Sequence, residues 1–143
     1  MTNDGNEAPR QLISFGPPAG NYSPAVRVGT SVFVSGMISL LDGQVIGKDD
    51  VRAQTRQVLS NIEAALERAG AKMNDIVRYR IYLTDMADLS AVREELAPSF
   101  GAIRPAGTLV AVAGLIHPDL RIEIDVDAII GSGIPSESQS RSA

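Results

Sequence analysis

The sequence predicts an α+β domain in two layers, a mostly antiparallel sheet with two helices packed on one face. Three observations carry that prediction. Residues 51–69 place apolar side chains at helical spacing; residues 77–83 and 121–130 alternate apolar with polar, the period of a strand with one buried face. The elements then follow in the order strand, strand, helix, strand, helix, strand, strand, which suits helices laid over one side of an antiparallel or mixed sheet.

Taken in order, Ala25-Val26-Arg27-Val28-Gly29 and Ser31-Val32-Phe33-Val34-Ser35-Gly36 are two β-rich runs joined at a glycine, a predicted hairpin. Asp42-Gly43 is a turn signal leading into a loop. Asp49 and Asp50 are candidate N-caps for the first helix, whose Val51, Thr55, Val58, Ile62, Ala65, Leu66 and Ala69 share a face up to a stop at Gly70. Val77, Tyr79, Ile81 and Leu83 are expected to point inward from the next strand, with Arg78, Arg80 and Tyr82 outward. A second helix is expected from about Asp88, burying Leu89, Val92 and Leu96 and ending between Pro98 and Gly101. Residues 108–113 and 121–130 complete the strands, with Pro118 in the connection. The ordered domain is expected to span 11–131; segments 1–10 and 132–143, poor in large apolar residues, are expected to be flexible tails.

At 143 residues and 44% hydrophobic, with no run of 18 apolar residues, the chain is expected to form one soluble domain without a membrane partner. Its first nine residues lack a basic and an apolar signal region, so a cytoplasmic location is expected. The absence of cysteine excludes disulfides, thiol catalysis and thiolate metal sites. A net charge of −4 with no cationic run argues against a nucleic-acid partner. Helices on one face only leave the other face of the sheet to a partner, since exposed apolar surface costs roughly 25 cal/mol per Å². The stripe Ile122, Ile124, Val126, Ala128, Ile130 and the residues Leu109, Ala111 and Ala113 are the apolar surfaces considered for this.

Read together, Tyr22 to Gly29, Val32 to Gly36, Gln54 to Ile62, Tyr82-Leu83-Thr84-Asp85, Arg104 to Val110 and Arg121 to Ile124 resemble the reactive intermediate deaminase (RidA/YjgF) family over nearly the whole ordered domain. The resemblance implies a chorismate-mutase-like fold and homotrimers with ligand clefts between neighbouring subunits. It also implies hydrolysis of 2-imino or 2-enamino acids to 2-keto acids and ammonia, with no metal or organic cofactor. Such a reaction needs positioning and proton transfer alone, because an iminium carbon is already electrophilic.

Glu123 matches the family's water-orienting glutamate and points away from the Ile122 and Ile124 face; only the resemblance separates it from Asp125 and Asp127, read as a solvated acidic face. Tyr22 matches a ligand-reaching tyrosine, with a packed loop residue as the bland reading. Ser35 and Gly36 match the Ser-Gly that closes a strand beside the cleft, or mark a strand end or bulge. Met37 stands where many relatives have glutamine, which would make that wall more apolar.

Gly107 is the departure. The resemblance places there an arginine that grips the substrate carboxylate, and glycine has no charge or donor to offer. Losing that pair would weaken binding roughly ten- to a hundredfold. The vacated volume is expected to admit a larger substrate. Arg93, on the second helix, and Arg104, three residues upstream, are the candidate replacements, each also readable as a surface arginine. His117 has no His or Cys partner at metal spacing, and no metal site is expected. Three functions stay open. The first is a hydrolytic deaminase acting on an enamine or imine other than simple 2-imino acids, such as a 2-aminomuconate-like compound; the second is a noncatalytic trimer binding a small metabolite; the third and weakest is RNA cleavage.

Overall fold

The computed structural model of the chain describes residues 7–18 and 20–134. Its elements are β1 (Gln11–Ile13), β2 (Ala25–Val28), β3 (Ser31–Ile38), β4 (Leu40–Leu41), β5 (Gln44–Val45), α1 (Val51–Arg68), β6 (Ile76–Leu83), α2 (Leu89–Phe100), β7 (Ala106–Ala111) and β8 (Ile122–Ile129). Six strands form one sheet in the order β1-β2-β3-β8-β6-β7, antiparallel except for the parallel β6–β7 edge that α2 bridges. The expected two-layer α+β architecture is therefore present. Residues 1–6 and 135–143 of the expected tails lie outside the described residues.

Helix α1 starts where the Asp50 carboxylate accepts the Ala53 N–H at 3.0 Å, satisfying one free amide of the first turn. It ends at Ala69 before Gly70, whose φ of 88° suits glycine. Arg27 of β2 closes that end by donating to the Ala69 carbonyl at 2.8 Å. Every apolar position expected on the inner face of α1 is buried, and Gln54 joins them fully enclosed. Gln54 donates to the carbonyls of Gly47 and Asp119 and accepts the Arg121 N–H, which fixes the entry of β8.

Several boundaries differ from expectation. The Asp42-Gly43 turn closes a small β4–β5 hairpin, with φ of 51° and 78° at its central residues, the geometry that matches strand twist. The short edge strand β1 carries no pattern long enough to read. In β6 a register irregularity between Ile76 and Arg78 shifts the alternation, so Ile76 is buried and Val77 is exposed. Phe100 is buried as well, stacked on Tyr79 with ring centroids 5.0 Å apart.

Ile122, Ile124, Val126 and Ala128 are buried with the helices in the core. Complete burial of each of the three large ones is worth about 1.5–3 kcal/mol. Because side chains alternate, that burial commits Glu123, Asp125 and Asp127 to the open face, and a one-residue slip would reverse both sets. Leu109 also packs against the core, whereas Ala111 and Ala113 are exposed. The open face is thus not formed by the apolar stripes considered for it. By register it carries the β8 acids with Arg80 and Tyr82, flanked by exposed Leu12, Phe33, Val110 and Ile129. Among the described residues no helix is long and apolar enough to cross a membrane.

Candidate active site

On β3, Val34 pairs with Val126 and Met37 with Ile124, so Ser35 and Gly36 together oppose the single residue Asp125. This bulge turns the missing side chain of Gly36 toward Glu123 on β8. A Cβ built on Gly36 would lie 2.6 Å from Glu123 Oε2 and 2.8 Å from its Cδ, so only glycine leaves that carboxyl where it stands. Ser35 uses the other side of the bulge: its hydroxyl donates to the Ser23 carbonyl at 2.6 Å and its N–H to the Pro24 carbonyl at 2.9 Å. Those two bonds tie down the loop that holds Tyr22. Tyr22 is exposed and, with Ser35, Leu12, Phe15 and Val26, lines a cleft of about 910 Å³. Met37 is a correction. The bulge sends its side chain to the core, so it forms no wall of this cleft.

Electrostatics separates the three acids of β8. Arg80 donates to Asp125 at 2.7 Å and to Asp127 at 3.3 Å, and the Tyr82 hydroxyl donates to Asp125 at 2.8 Å. Asp125 and Asp127 are therefore held in a network and are not merely solvated. Glu123 has no such cation among the described residues. Burial first, and the Asp125 charge second, push its carboxyl above the ordinary carboxylate range. A carboxyl raised in this way can take and return a proton nearer neutrality, which is what a water-activating base requires.

The remaining predicted residues stand apart. Gly107 pairs with Tyr79 across the parallel β6–β7 edge, and Tyr79 lies on the helix side against Phe100. Gly107 and Glu123 accordingly face opposite sides of one sheet and cannot meet the same ligand within one chain. Arg104, with φ of 48°, lines a separate groove of about 190 Å³ beside Asn74 and Ile134. Arg93 is exposed on α2 and forms no ion pair among the described residues. His117 accepts the Asp119 N–H on Nδ1 at 3.0 Å, and no cluster of three or more metal-ligating side chains occurs among the described residues.

Two features were not found from the sequence. The Arg80–Asp125–Tyr82 network joins strands 43 or more residues apart, and only the pairing register brings it together. Tyr79 was read correctly as an inward residue, but nothing local announces that its ring lies beneath Gly107. A Cβ on Gly107 would come within 2.7 Å of two ring carbons and the hydroxyl oxygen of Tyr79, so the volume expected to be vacant is filled.

The family model described as Endoribonuclease L-PSP matches residues 14–130. The chain is 39% identical over 109 residues to the 3-aminoacrylate deaminase RutC of Acinetobacter baylyi, covering 76% of this chain and 86% of that protein. It is 33% identical over 129 residues to a 2-iminobutanoate/2-iminopropanoate deaminase of Dermatophagoides farinae, covering 86% and 98%. Among solved structures, a Mycobacterium tuberculosis member of the YjgF/YER057c/UK114 family superposes with a TM-score of 0.73 at 40% identity, covering 85% of this chain and all of the other.

Proposed function

Because the chain belongs to the RidA/YjgF family, we propose that it is a cofactor-independent hydrolytic deaminase of an enamine or imine intermediate, acting on a substrate other than simple 2-imino acids. The observation that carries this reading is Glu123: half-buried, without a cation among the described residues and shaped around Gly36. Relatives named for 3-aminoacrylate and 2-iminobutanoate deamination support the reaction class.

An enamine first takes a proton on carbon to become the iminium. Glu123 orients a water and accepts its proton as the C–O bond forms and the C=N π pair moves to nitrogen. Glu123 then hands that proton to the nitrogen and takes the proton of the new hydroxyl as the C–N bond breaks and the C=O forms, and ammonia leaves a carbonyl product. Tyr22 and Ser35 line a cleft that reaches the bulge next to Gly36, and the proposed substrates are longer than 2-iminopropanoate, such as 2-aminomuconate-like enamine acids. Since Glu123 and Gly107 face opposite ways in one chain, a ligand touching both positions requires two chains, and a homotrimer with clefts between subunits meets that requirement. Arg93, exposed and without an ion pair among the described residues, is the proposed cation for a substrate carboxylate; Arg104 sits in its own groove and is not. A cytoplasmic location is proposed for such a metabolic enzyme.

The absent arginine favours a second reading, a noncatalytic trimer that binds a small metabolite. RNA cleavage, despite the family description, finds no cationic track in a chain of net charge −4 with a single histidine. The deciding experiment is ammonia release from freshly generated 2-iminopropanoate, 3-aminoacrylate and 2-aminomuconate. The deaminase reading expects turnover of at least one compound, reduced about 10²- to 10⁴-fold in Glu123→Gln with ligand affinity retained. Absence of turnover throughout the panel would favour the binding reading.

A further inference from the structure

We infer that Tyr79 has taken over the wall that the arginine would occupy, and that this wall receives an uncharged hydrogen-bonding end of the ligand in place of a carboxylate. The inference rests on the ligand-site reading of the preceding subsection. Tyr79 and Gly107 are register partners on β6 and the edge strand β7. The ring is held from one side by Phe100, at 5.0 Å and 15° between planes, and its other side runs under the backbone of Gly107. The hydroxyl lies 2.7 Å from where a side chain at position 107 would begin. That oxygen has no hydrogen-bond partner among the described residues, and no fully enclosed side-chain polar atom there lacks one, so the hydroxyl is not sealed in the core.

A phenol is a neutral donor and acceptor, and unlike guanidinium it gives no charge-assisted bidentate pair. Its partner of choice is a carbonyl, amide or hydroxyl. Arg93 does not supply the charge at this spot, because it stands two helical turns from Phe100, about 10 Å along α2. A long enamine acid satisfies both when one carboxylate points to Arg93 and an uncharged group, standing in place of the second carboxylate of 2-aminomuconate, points to Tyr79. The pair also makes arginine at position 107 incompatible with the present ring, since its Cβ would collide with two ring carbons and the hydroxyl oxygen.

The test measures pyruvate and pyruvamide binding by calorimetry, together with Tm, for wild type, Tyr79→Phe, Gly107→Arg and the double variant Tyr79→Ala/Gly107→Arg. Wild type should bind pyruvamide at least as tightly as pyruvate. Tyr79→Phe should weaken pyruvamide about three- to tenfold at unchanged Tm. Gly107→Arg alone should lower Tm by about 5 °C or more, while the double variant recovers Tm and prefers pyruvate about tenfold or more. The inference is overturned if Gly107→Arg alone keeps the wild-type Tm and binds pyruvate as tightly as the double variant, or if Tyr79→Phe leaves pyruvamide affinity untouched. The deaminase reading fails separately: these preferences with no ammonia release from any compound would leave Tyr79 in place at a binding site.

Discussion

Gly36 and Gly107 use the same device on opposite faces of one sheet, and the neighbours they admit are chemically unlike. Gly36 makes room for the carboxyl of Glu123, the proposed water-orienting group; Gly107 makes room for an aromatic ring where the family resemblance implies a cation. On the first wall the absent Cβ leaves an acid in place, and on the second it admits a ring. A glycine in a strand is thus read by what enters its space.

The largest effect should come from filling the first space. Gly36→Val drives the Glu123 carboxyl out of position, and kcat should fall about 10²-fold on any substrate wild type turns over, a loss expected from about 1 Å of misplacement. Steady-state kinetics with circular dichroism separates this from unfolding. Filling the second space should cost stability first. Gly107→Ala overpacks the Tyr79 ring and should destabilise by about 1–3 kcal/mol in urea denaturation, with most of the loss removed in a Tyr79→Ala background. Equal losses in both backgrounds would show that the ring is not the obstacle.

Smaller effects concern charge. Asp125→Asn removes one of the two causes that raise the Glu123 carboxyl, so the acidic limb of the pH–rate profile should move to lower pH. An unmoved limb would leave burial as the sole cause. The least effect is on stability. The Glu123 carboxyl lies higher in the folded chain than in the unfolded one, so its contribution is complete below the ordinary carboxylate range and is lost as pH rises through the raised value. Glu123→Gln should therefore match wild type near pH 4 and be slightly more stable at pH 8, as followed by thermal unfolding.

Much of the fold was legible because it is written in short periods. The inner face of α1 and the buried side of β8 follow from spacing alone, and the family resemblance then picks Glu123 out of three acids that spacing leaves equivalent. The β6 irregularity at Val77 and the edge strand β1 were not legible, since a bulge or a three-residue strand leaves no periodic trace. Nor was the direction of Met37, which reverses because Ser35 and Gly36 share one opposing residue.

The sequence by itself determined the two-layer fold, the placement of Glu123 opposite a buried apolar stripe, and the absence of a charged side chain at position 107. Tertiary structure alone decided that Gly36 clears space for Glu123, that Arg80 pairs with Asp125 and Asp127 and not with Glu123, and that Tyr79 fills the space beside Gly107. The physical reason is range. Alternation and helical spacing are properties of neighbouring residues, whereas these three contacts join residues 28 or more positions apart and exist only once strand register is set.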